Sequence, residues 1–170
     1  MPILEPMTIA QYDQYIQHSL DTFRSELLKT ENYTQEEAIE STGKQILDIL
    51  PAGIATQGHY FFNIKDDKKD LKVGNMWVAY NKSDGGEWNV FIYDIEIDEE
   101  YRGQGYGRQA MQALEIDAKE KETSKIFLHV FAHNQIAFNL YQKVGFRVVK
   151  NYLDKKGTKI ISYRMVKNLN

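Results

Sequence analysis

The sequence predicts a mixed α/β fold, with a central, mostly antiparallel sheet that contains one parallel crossover and is flanked by about four helices. Three observations support this fold class. Two amphipathic helical patterns occupy the first 50 residues, β-rich runs joined by tight turns fill residues 59–98, and a strand–helix–strand order follows over residues 90–131. Because a chain of 170 residues is typical of one domain, we expect a single domain spanning residues 1–170.

The N-terminal region begins with a short strand candidate at residues 3–8, which Pro6 weakens. Thr8 is a suitable N-cap for a helix over about residues 9–30. Apolar side chains recur in that segment at steps of three and four residues, the spacing of one helix face. We therefore expect an amphipathic first helix.

A second helix is indicated by Thr34 and Glu37, whose spacing is that of a capping box, and it should end at Pro51. We expect its apolar face to consist of Ala38, Ile39, Ile46, Leu47 and Leu50.

The middle of the chain has the pattern of an antiparallel meander. Strand-like runs occupy residues 59–64, 72–80 and 88–98. The second and third runs are joined by Ser83-Asp84-Gly85-Gly86, a strong hairpin signal.

The crossover follows the meander. A helical pattern covers about residues 104–121, and a β-rich strand covers residues 125–131. A strand–helix–strand unit of this length forms a parallel crossover. Its helix should present one small, apolar face, made of Gly107, Ala110, Met111, Leu114 and Ala118.

The C-terminal region should contain one more helix and a hairpin. Asn134 can cap a helix over residues 135–144, and Gly145 can close it. The runs at residues 146–150 and 159–166 then form the terminal hairpin.

Composition excludes several classes of function. There are no cysteines, so disulfides and thiolate catalysis are excluded, and the chain suits a reducing, cytoplasmic location. The net charge of −3 gives no sign of a nucleic-acid partner, and no apolar run is long enough for a membrane span. His129 and His133 lie four apart across a strand end rather than on a helix, so we expect no metal site.

The most informative stretch is the glycine loop, residues 101–108, between the last meander strand and the crossover helix. Helix N-termini carry unpaired N–H groups and partial positive charge, and glycines let a ligand approach the backbone. Such a turn suits a phosphate or pyrophosphate. We expect the contacts to come from Arg102, Gly103, Gln104, Gly105, Tyr106, Gly107 and Arg108.

Two common phosphate-binding motifs do not fit this loop. A P-loop needs Lys and Ser or Thr after its last glycine, and a dinucleotide fingerprint needs a different glycine spacing and a later acidic residue. The pattern Arg-x-x-Gly-x-Gly, read on Arg102, Gly105 and Gly107, resembles the pyrophosphate-binding motif of the GNAT superfamily of acyl-CoA N-acyltransferases. The predicted order of elements also matches that family along nearly the whole chain.

A second segment strengthens the resemblance. The run Asn134-x-x-Ala137-x-x-Leu140-Tyr141, closed by Gly145-Phe146, is similar to the second conserved GNAT segment. The resemblance implies that Asn134 touches the pantetheine arm of the cosubstrate and that Tyr141 protonates the leaving thiolate. A phenol is a competent acid for a thiolate.

The strand before the glycine loop has a further role in the family. It splays from its parallel neighbour and pairs with pantetheine, which implies backbone contacts from Ile95 and Ile97. Asp94 and Glu96 share one face of this strand, and either could accept the proton of the attacking amine, directly or through water. Tyr12, Tyr15, Tyr33 and Tyr60 lie in regions that shape the acceptor pocket of such enzymes.

The resemblance therefore implies an N-acetyltransferase that uses acetyl-CoA as cosubstrate and a primary amine of a small molecule or peptide as acceptor, by direct attack. A non-catalytic CoA-binding sensor or scaffold of the same fold is the alternative. A different phosphate-ligand enzyme is less well supported, since neither of its motifs is present. The identity of the acceptor and the formation of a homodimer stay open.

Overall fold

The computed structural model describes residues 2–170. It contains four α-helices, α1 (Ile9–Lys29), α2 (Gln35–Ile49), α3 (Tyr106–Glu120) and α4 (Gln135–Lys143). Its seven strands are β1 (Pro2–Pro6), β2 (His59–Asp66), β3 (Leu71–Lys82), β4 (Trp88–Ile97), β5 (Thr123–Phe131), β6 (Arg147–Leu153) and β7 (Ile160–Asn168). Within the described chain, no helix combines the length and the apolar composition that crossing a membrane requires.

All seven strands belong to one sheet in the order β1-β2-β3-β4-β5-β7-β6. Neighbouring strands are antiparallel except for β4 and β5, which α3 connects as a parallel crossover. The predicted meander is β2-β3-β4, and the predicted terminal hairpin is β6-β7, with β7 inserted beside β5. The predicted fold class is therefore confirmed.

The helices cover both faces of the sheet. On one face, α3 and α4 pack over a core that includes Val78, Ile92 and Leu114. On the other face, α1 and the end of α2 pack over a smaller cluster that includes Ile16, Phe61 and Trp77. Trp77 and Val78 are adjacent in β3 and belong to different clusters, as strand alternation requires.

Both N-terminal helices begin with a reciprocal cap. The Thr34–Glu37 capping box is present as predicted, with both side chains bonded to the other residue's backbone N–H. Thr8 forms the same arrangement with Gln11. Because each cap satisfies N–H groups that the helix leaves open, local sequence determines where both helices begin.

The expected apolar face of α2 was partly wrong. Ala38 and Leu50 are buried, but Ile39 is 49% and Leu47 is 73% exposed. The buried face follows Ala38, Thr42 and Ile46 in steps of four, and Ile39 and Leu47 each lie one residue, about 100°, around the helix from it. The hydroxyl of Thr42 donates to the Ala38 carbonyl (2.6 Å), so this polar residue is satisfied inside the core.

Strand β4 separates from β5 halfway along its length. The parallel pairing runs from Trp88 with Thr123 to Ile92 with Leu128 and ends there. Beyond that point β4 continues to Ile97 beside β3 only, while β5 continues to Phe131 beside β7. The two central strands therefore leave a gap between residues 93–97 and 129–131.

A β-bulge lies at the start of this gap. Trp77 of β3 pairs with Asp94, but Val78 pairs with Ile92, so Tyr93 is an extra residue in β4. Tyr93 stacks on Trp77 with ring centroids 4.6 Å apart, on the α1 side of the sheet. An extra residue shifts the alternation of side chains by one. The residues after Tyr93 therefore face the other side of the sheet from the one that they would face in a regular strand.

Gly74 allows β3 and β4 to pair closely at the end of this segment. A Cβ atom at Gly74 would overlap the Glu96 carbonyl oxygen and lie 3.1 Å from the Ile97 Cα atom. Both of those obstacles are backbone atoms, which cannot rotate away. The end of β4 therefore keeps its position only with glycine opposite it.

We expect Gly74→Ala to destabilise the fold by about 1–3 kcal/mol, because the added methyl group forces the two strands apart. The matched control is Gly43→Ala in α2, where a Cβ atom would meet nothing within 4 Å. That change should stabilise the protein by about 0.5–1 kcal/mol, the cost of glycine in a helix. Urea unfolding of the two variants measures both effects, and equal stabilities would contradict the close approach.

Candidate active site

The gap between β4 and β5 opens into a cleft of about 710 Å³, the central cleft. Its wall combines side chains from α1, α2 and the loop between them (residues 19–49), from β4 (91–96), from β5 (128–131) and from the C-terminal hairpin. Asp94, Glu96, Asn134 and Tyr141 all line it. The two carboxylates and the tyrosine that the sequence predicted as catalytic are thus brought to one cavity.

Asp94 follows the bulge and faces α1. The hydroxyl of Tyr15 donates a hydrogen bond to its Oδ2 atom over 2.7 Å. Burial raises the pKa of Asp94 to about 6, and the nearby charge of Glu96 adds to the increase, against the Tyr15 hydrogen bond that lowers it. Asp94 is therefore a carboxyl group that changes protonation just below neutral pH.

Glu96 is two residues further along β4 and lies between a histidine and an arginine. Its carboxylate lies 3.0 Å from His18 Nε2 and 3.6 Å from Arg102 Nη2. The His18 side chain is 60% exposed, so this pair connects the cleft with solvent. Both carboxylates consequently contact α1, one through Tyr15 and the other through His18.

Tyr141 lies on α4 and is buried beside Phe146. Burial raises its pKa above the usual value, and the negative charge of Asp94 raises it further. Within residues 2–170 its hydroxyl has no hydrogen-bond partner, although it lines the cleft. The phenol thus stays protonated around neutral pH and is available to a ligand.

The glycine loop forms a turn directly before α3, where the sequence predicts an anion-binding site. Gly105, with a φ of 85°, is the N-cap of α3, and Gly103 also has a positive φ of 72°. The first helical hydrogen bond runs from the Gln109 amide to the Gly105 carbonyl over 3.1 Å. The N–H groups of residues 106–108 therefore have no partner within the helix and are available to an anion.

The side chains of this loop are less available than its backbone. Arg102 donates from Nε to the Ile97 carbonyl (2.8 Å) and pairs with Glu96, which joins the loop to the end of β4. Tyr106 is buried, and its hydroxyl donates to Asp66 (2.7 Å). Gln104 donates to the Glu100 carbonyl, whereas Arg108 is exposed.

Asn134 and the four tyrosines considered for the acceptor pocket lie in different parts of the structure. Asn134 lines the cleft while its Oδ1 atom caps α4 by accepting from the Ala137 amide. Of the four tyrosines considered for the acceptor pocket, Tyr33 lines the cleft and Tyr15 reaches it through Asp94. Tyr12 packs against Phe61 in the core and Tyr60 lies on β2 beside Phe62.

The two histidines considered as metal ligands have other contacts. His133 pairs with Glu26 of α1 and stacks on Phe131, and His129 packs between Phe131 and Tyr152. The part of the chain that the structure describes contains no group of three or more metal-ligating side chains.

Sequence reasoning missed Tyr15 and His18 as partners of the two carboxylates. They are three residues apart on one helix, so they share a face. That spacing is the only local signal, and it equally suits a core-facing stripe.

Comparison with known proteins agrees with this geometry. The model of the acetyltransferase (GNAT) family matches residues 16–146. The chain belongs to the GNAT acetyltransferase family. It is 33% identical over 154 residues to YycN of Bacillus subtilis (strain 168), described as an uncharacterized N-acetyltransferase, covering 91% of this chain and 97% of that one.

Further similarities support the same family. The crystal structure of YycN superposes with a TM-score of 0.84 at 32% identity, over 94% of this chain and all of that chain. The spermine/spermidine N(1)-acetyltransferase of the same organism is 34% identical over 120 residues, covering 68% of this chain and 75% of that one. Arabidopsis thaliana NAA60 in complex with acetyl-CoA shares the fold, with a TM-score of 0.64 at 18% identity over 99% of this chain and 98% of that chain.

The raised pKa of Asp94 predicts a pH-dependent stability. An aspartate in the unfolded chain has a pKa near 3.9, so between about pH 4 and 6 the folded state holds a proton that the unfolded state has lost. The free energy of unfolding therefore falls as pH rises through this window. Asp94→Asn removes this titration. We expect the free energy of unfolding of Asp94→Asn, minus that of the wild type, to be about 2 kcal/mol larger at pH 7.5 than at pH 4.

Denaturant unfolding of wild type and Asp94→Asn at several pH values measures this difference. Asp84→Asn, in the exposed turn after β3, is the matched control and should follow the wild-type curve. If the difference in free energy of unfolding between Asp94→Asn and the wild type is the same at pH 4 and pH 7.5, Asp94 titrates like an exposed carboxylate and the prediction is wrong.

Proposed function

We propose that this GNAT family member transfers an acetyl group from acetyl-CoA to a primary amine of a small molecule or peptide, and that residues 1–170 act as one acetyltransferase domain. The observation that carries the proposal is the convergence of Asp94, Glu96 and Tyr141 on the cleft where β4 and β5 separate, with the glycine loop at the end of β4. Candidate groups for proton acceptance, proton donation and anion binding thus surround one gap.

The glycine loop and the free part of β4 are the proposed binding site for acetyl-CoA. The open N–H groups at the start of α3 suit a pyrophosphate, and the exposed Arg108 adds positive charge. The Arg102 side chain is engaged with Ile97 and Glu96, and its N–H donates to the Glu99 carbonyl (3.3 Å), so we expect this residue to hold the loop in position. The backbone at Ile95 and Ile97, which lies beyond the pairing of β4 with β5, is the proposed contact for the pantetheine arm, together with Asn134. The thioester supplies an activated acetyl group.

Asp94 and Glu96 are the proposed proton acceptors. An ammonium group must lose a proton before its nitrogen can attack a carbonyl. With a pKa of about 6, Asp94 is ionised at neutral pH and is basic enough to take such a proton, directly or through water. Glu96 can do the same, and its exposed partner His18 offers a route for the proton to solvent.

Tyr141 is the proposed proton donor. The amine nitrogen bonds to the acetyl carbon and gives a tetrahedral intermediate. Its carbon–sulfur bond then breaks, and the sulfur leaves with the electron pair. The Tyr141 hydroxyl can supply the proton that makes this leaving group a neutral thiol. Burial raises the pKa of the Tyr141 phenol, and the same apolar surroundings would raise the pKa of the departing thiol as well. Proton transfer from the phenol to the thiolate therefore stays feasible.

We expect Tyr141→Phe to lower kcat by about 10²-fold or more, the scale of general acid catalysis, while acetyl-CoA binding is unchanged. The measurement is thiol release from acetyl-CoA with a panel of amines, amino acids and peptides. Tyr60→Phe, which removes a hydroxyl from an exposed position on β2, is the matched control and should retain wild-type rates.

Three other results are informative. Turnover that Tyr141→Phe leaves unchanged would contradict the role of Tyr141 but keep the transferase. Tight CoA binding without thiol release for any acceptor would favour a CoA sensor. An absence of CoA binding would contradict the proposed function as a whole.

A further inference from the structure

Arg164 is a cationic side chain in the wall of the central cleft that the proposed chemistry does not use. It lies on β7 opposite His129 of β5, one residue beyond Leu128, where the pairing of β4 and β5 ends. The adjacent Met165 belongs to the core under α3 and α4, so Arg164 faces the α1 side, as Asp94 does. Its backbone is therefore level with the start of the gap, and its side chain is on the same face as the carboxylates, over the last paired residues of β4 and β5.

Aromatic rings hold the Arg164 guanidinium in place. It lies 4.8 Å from the ring centroid of Phe127 and 5.7 Å from that of Phe91, distances at which a cation interacts favourably with a ring face. Among residues 2–170, no carboxylate pairs with it and no acceptor receives a hydrogen bond from it. Packing thus orients the five N–H donors of this guanidinium, but no residue in the described part of the chain accepts a hydrogen bond from them.

The charged side chains of the cleft wall lie on different elements. Asp94 and Glu96 lie on β4, and Glu26 of α1 is already engaged by Lys29 and His133. Burial lowers the pKa of His129, and the Arg164 charge lowers it further, so the histidine opposite Arg164 is neutral at pH 7. The β4 side of the cleft consequently carries two carboxylates, and the β7 side presents an arginine.

We propose that Arg164 binds a carboxylate of the acceptor, so that the substrate carries an amine and a carboxylate at separate ends, as an amino acid does. This inference rests on the proposed function, because the amine end is defined by Asp94 and Glu96. A planar guanidinium matches a carboxylate with two parallel hydrogen bonds. A polyamine is disfavoured, since its second ammonium group would meet Arg164.

The distance between the strands determines how far apart the amine and the carboxylate of the acceptor should be. β7 is two strands from β4, about 10 Å, and Arg164 extends back over Phe91 of β4. The amine and the carboxylate should therefore be separated by about 5–10 Å. Between them lie apolar side chains such as Phe91 and Tyr93, which suit a methylene chain.

Direct binding tests this inference without requiring turnover. The probes are ω-amino acids of increasing chain length, the n-alkylamines of the same lengths and the corresponding diamines, titrated calorimetrically into the full chain. We expect one ω-amino acid to bind about 10- to 100-fold more tightly than the alkylamine of equal length, the range for a hydrogen bond to a charged group. Arg164→Gln should abolish this preference, and Arg164→Lys should retain part of it.

Arg147→Gln is the matched control, because Arg147 is an exposed arginine on β6 outside the cleft wall. It should keep the wild-type preference. A short peptide with a free C-terminal carboxylate and its amidated form distinguish a peptide from a free amino acid as the source of the carboxylate. Equal affinities within each pair, a preference for diamines, a preference that survives in Arg164→Gln, or no binding of any probe at millimolar concentration would overturn the inference.

Thiol release with the same probes separates this inference from the proposed function. Arg164-dependent binding without consumption of acetyl-CoA would retain the carboxylate site and contradict the transferase. Turnover of alkylamines and amino acids at equal kcat/KM, unaffected by Arg164→Gln, would retain the transferase and contradict the carboxylate site.

Discussion

The extra residue in β4 is the constraint on which the site depends. In an uninterrupted strand, Asp94 and Glu96 would share the face of Ile92, which is buried under α3. Two carboxylates on that face would be surrounded by apolar side chains, at a large cost in free energy. The bulge at Tyr93 shifts the alternation by one residue, so Asp94 and Glu96 instead face α1 and meet Tyr15 and His18.

The same part of β4 links the elements around the cleft. Before the bulge, β4 pairs with β5 and belongs to the sheet core, and after it β4 is held by β3 alone, where Gly74 permits the close approach. Arg102 then joins the end of the strand to the glycine loop through Ile97 and Glu96. A change in the position of β4 would therefore be transmitted both to the carboxylates and to the start of α3.

Local signals in the sequence were sufficient for most of the fold. The capping box at Thr34, the hairpin turn before β4 and the glycines before α3 each depend on a few neighbouring residues, and each was predicted. Contacts between distant segments were not accessible in this way. Tyr15 and Asp94 are 79 positions apart, and the bulge that brings them together has no marker such as glycine in β4. The exposure of Ile39 and Leu47 was missed because a helix with several apolar residues does not by itself specify which face is covered.

A crystal structure with bound CoA tests most directly whether the gap beyond the bulge is the cosubstrate site. We expect the pantetheine arm to lie against β4 at residues 95–97, the pyrophosphate to contact the N–H groups of residues 103–108, and the sulfur to lie near the Tyr141 hydroxyl. The pairing of β4 with β5 should still end at Ile92 and Leu128. CoA bound outside the gap, or β4 and β5 paired through it, would contradict this account of the fold and the site together.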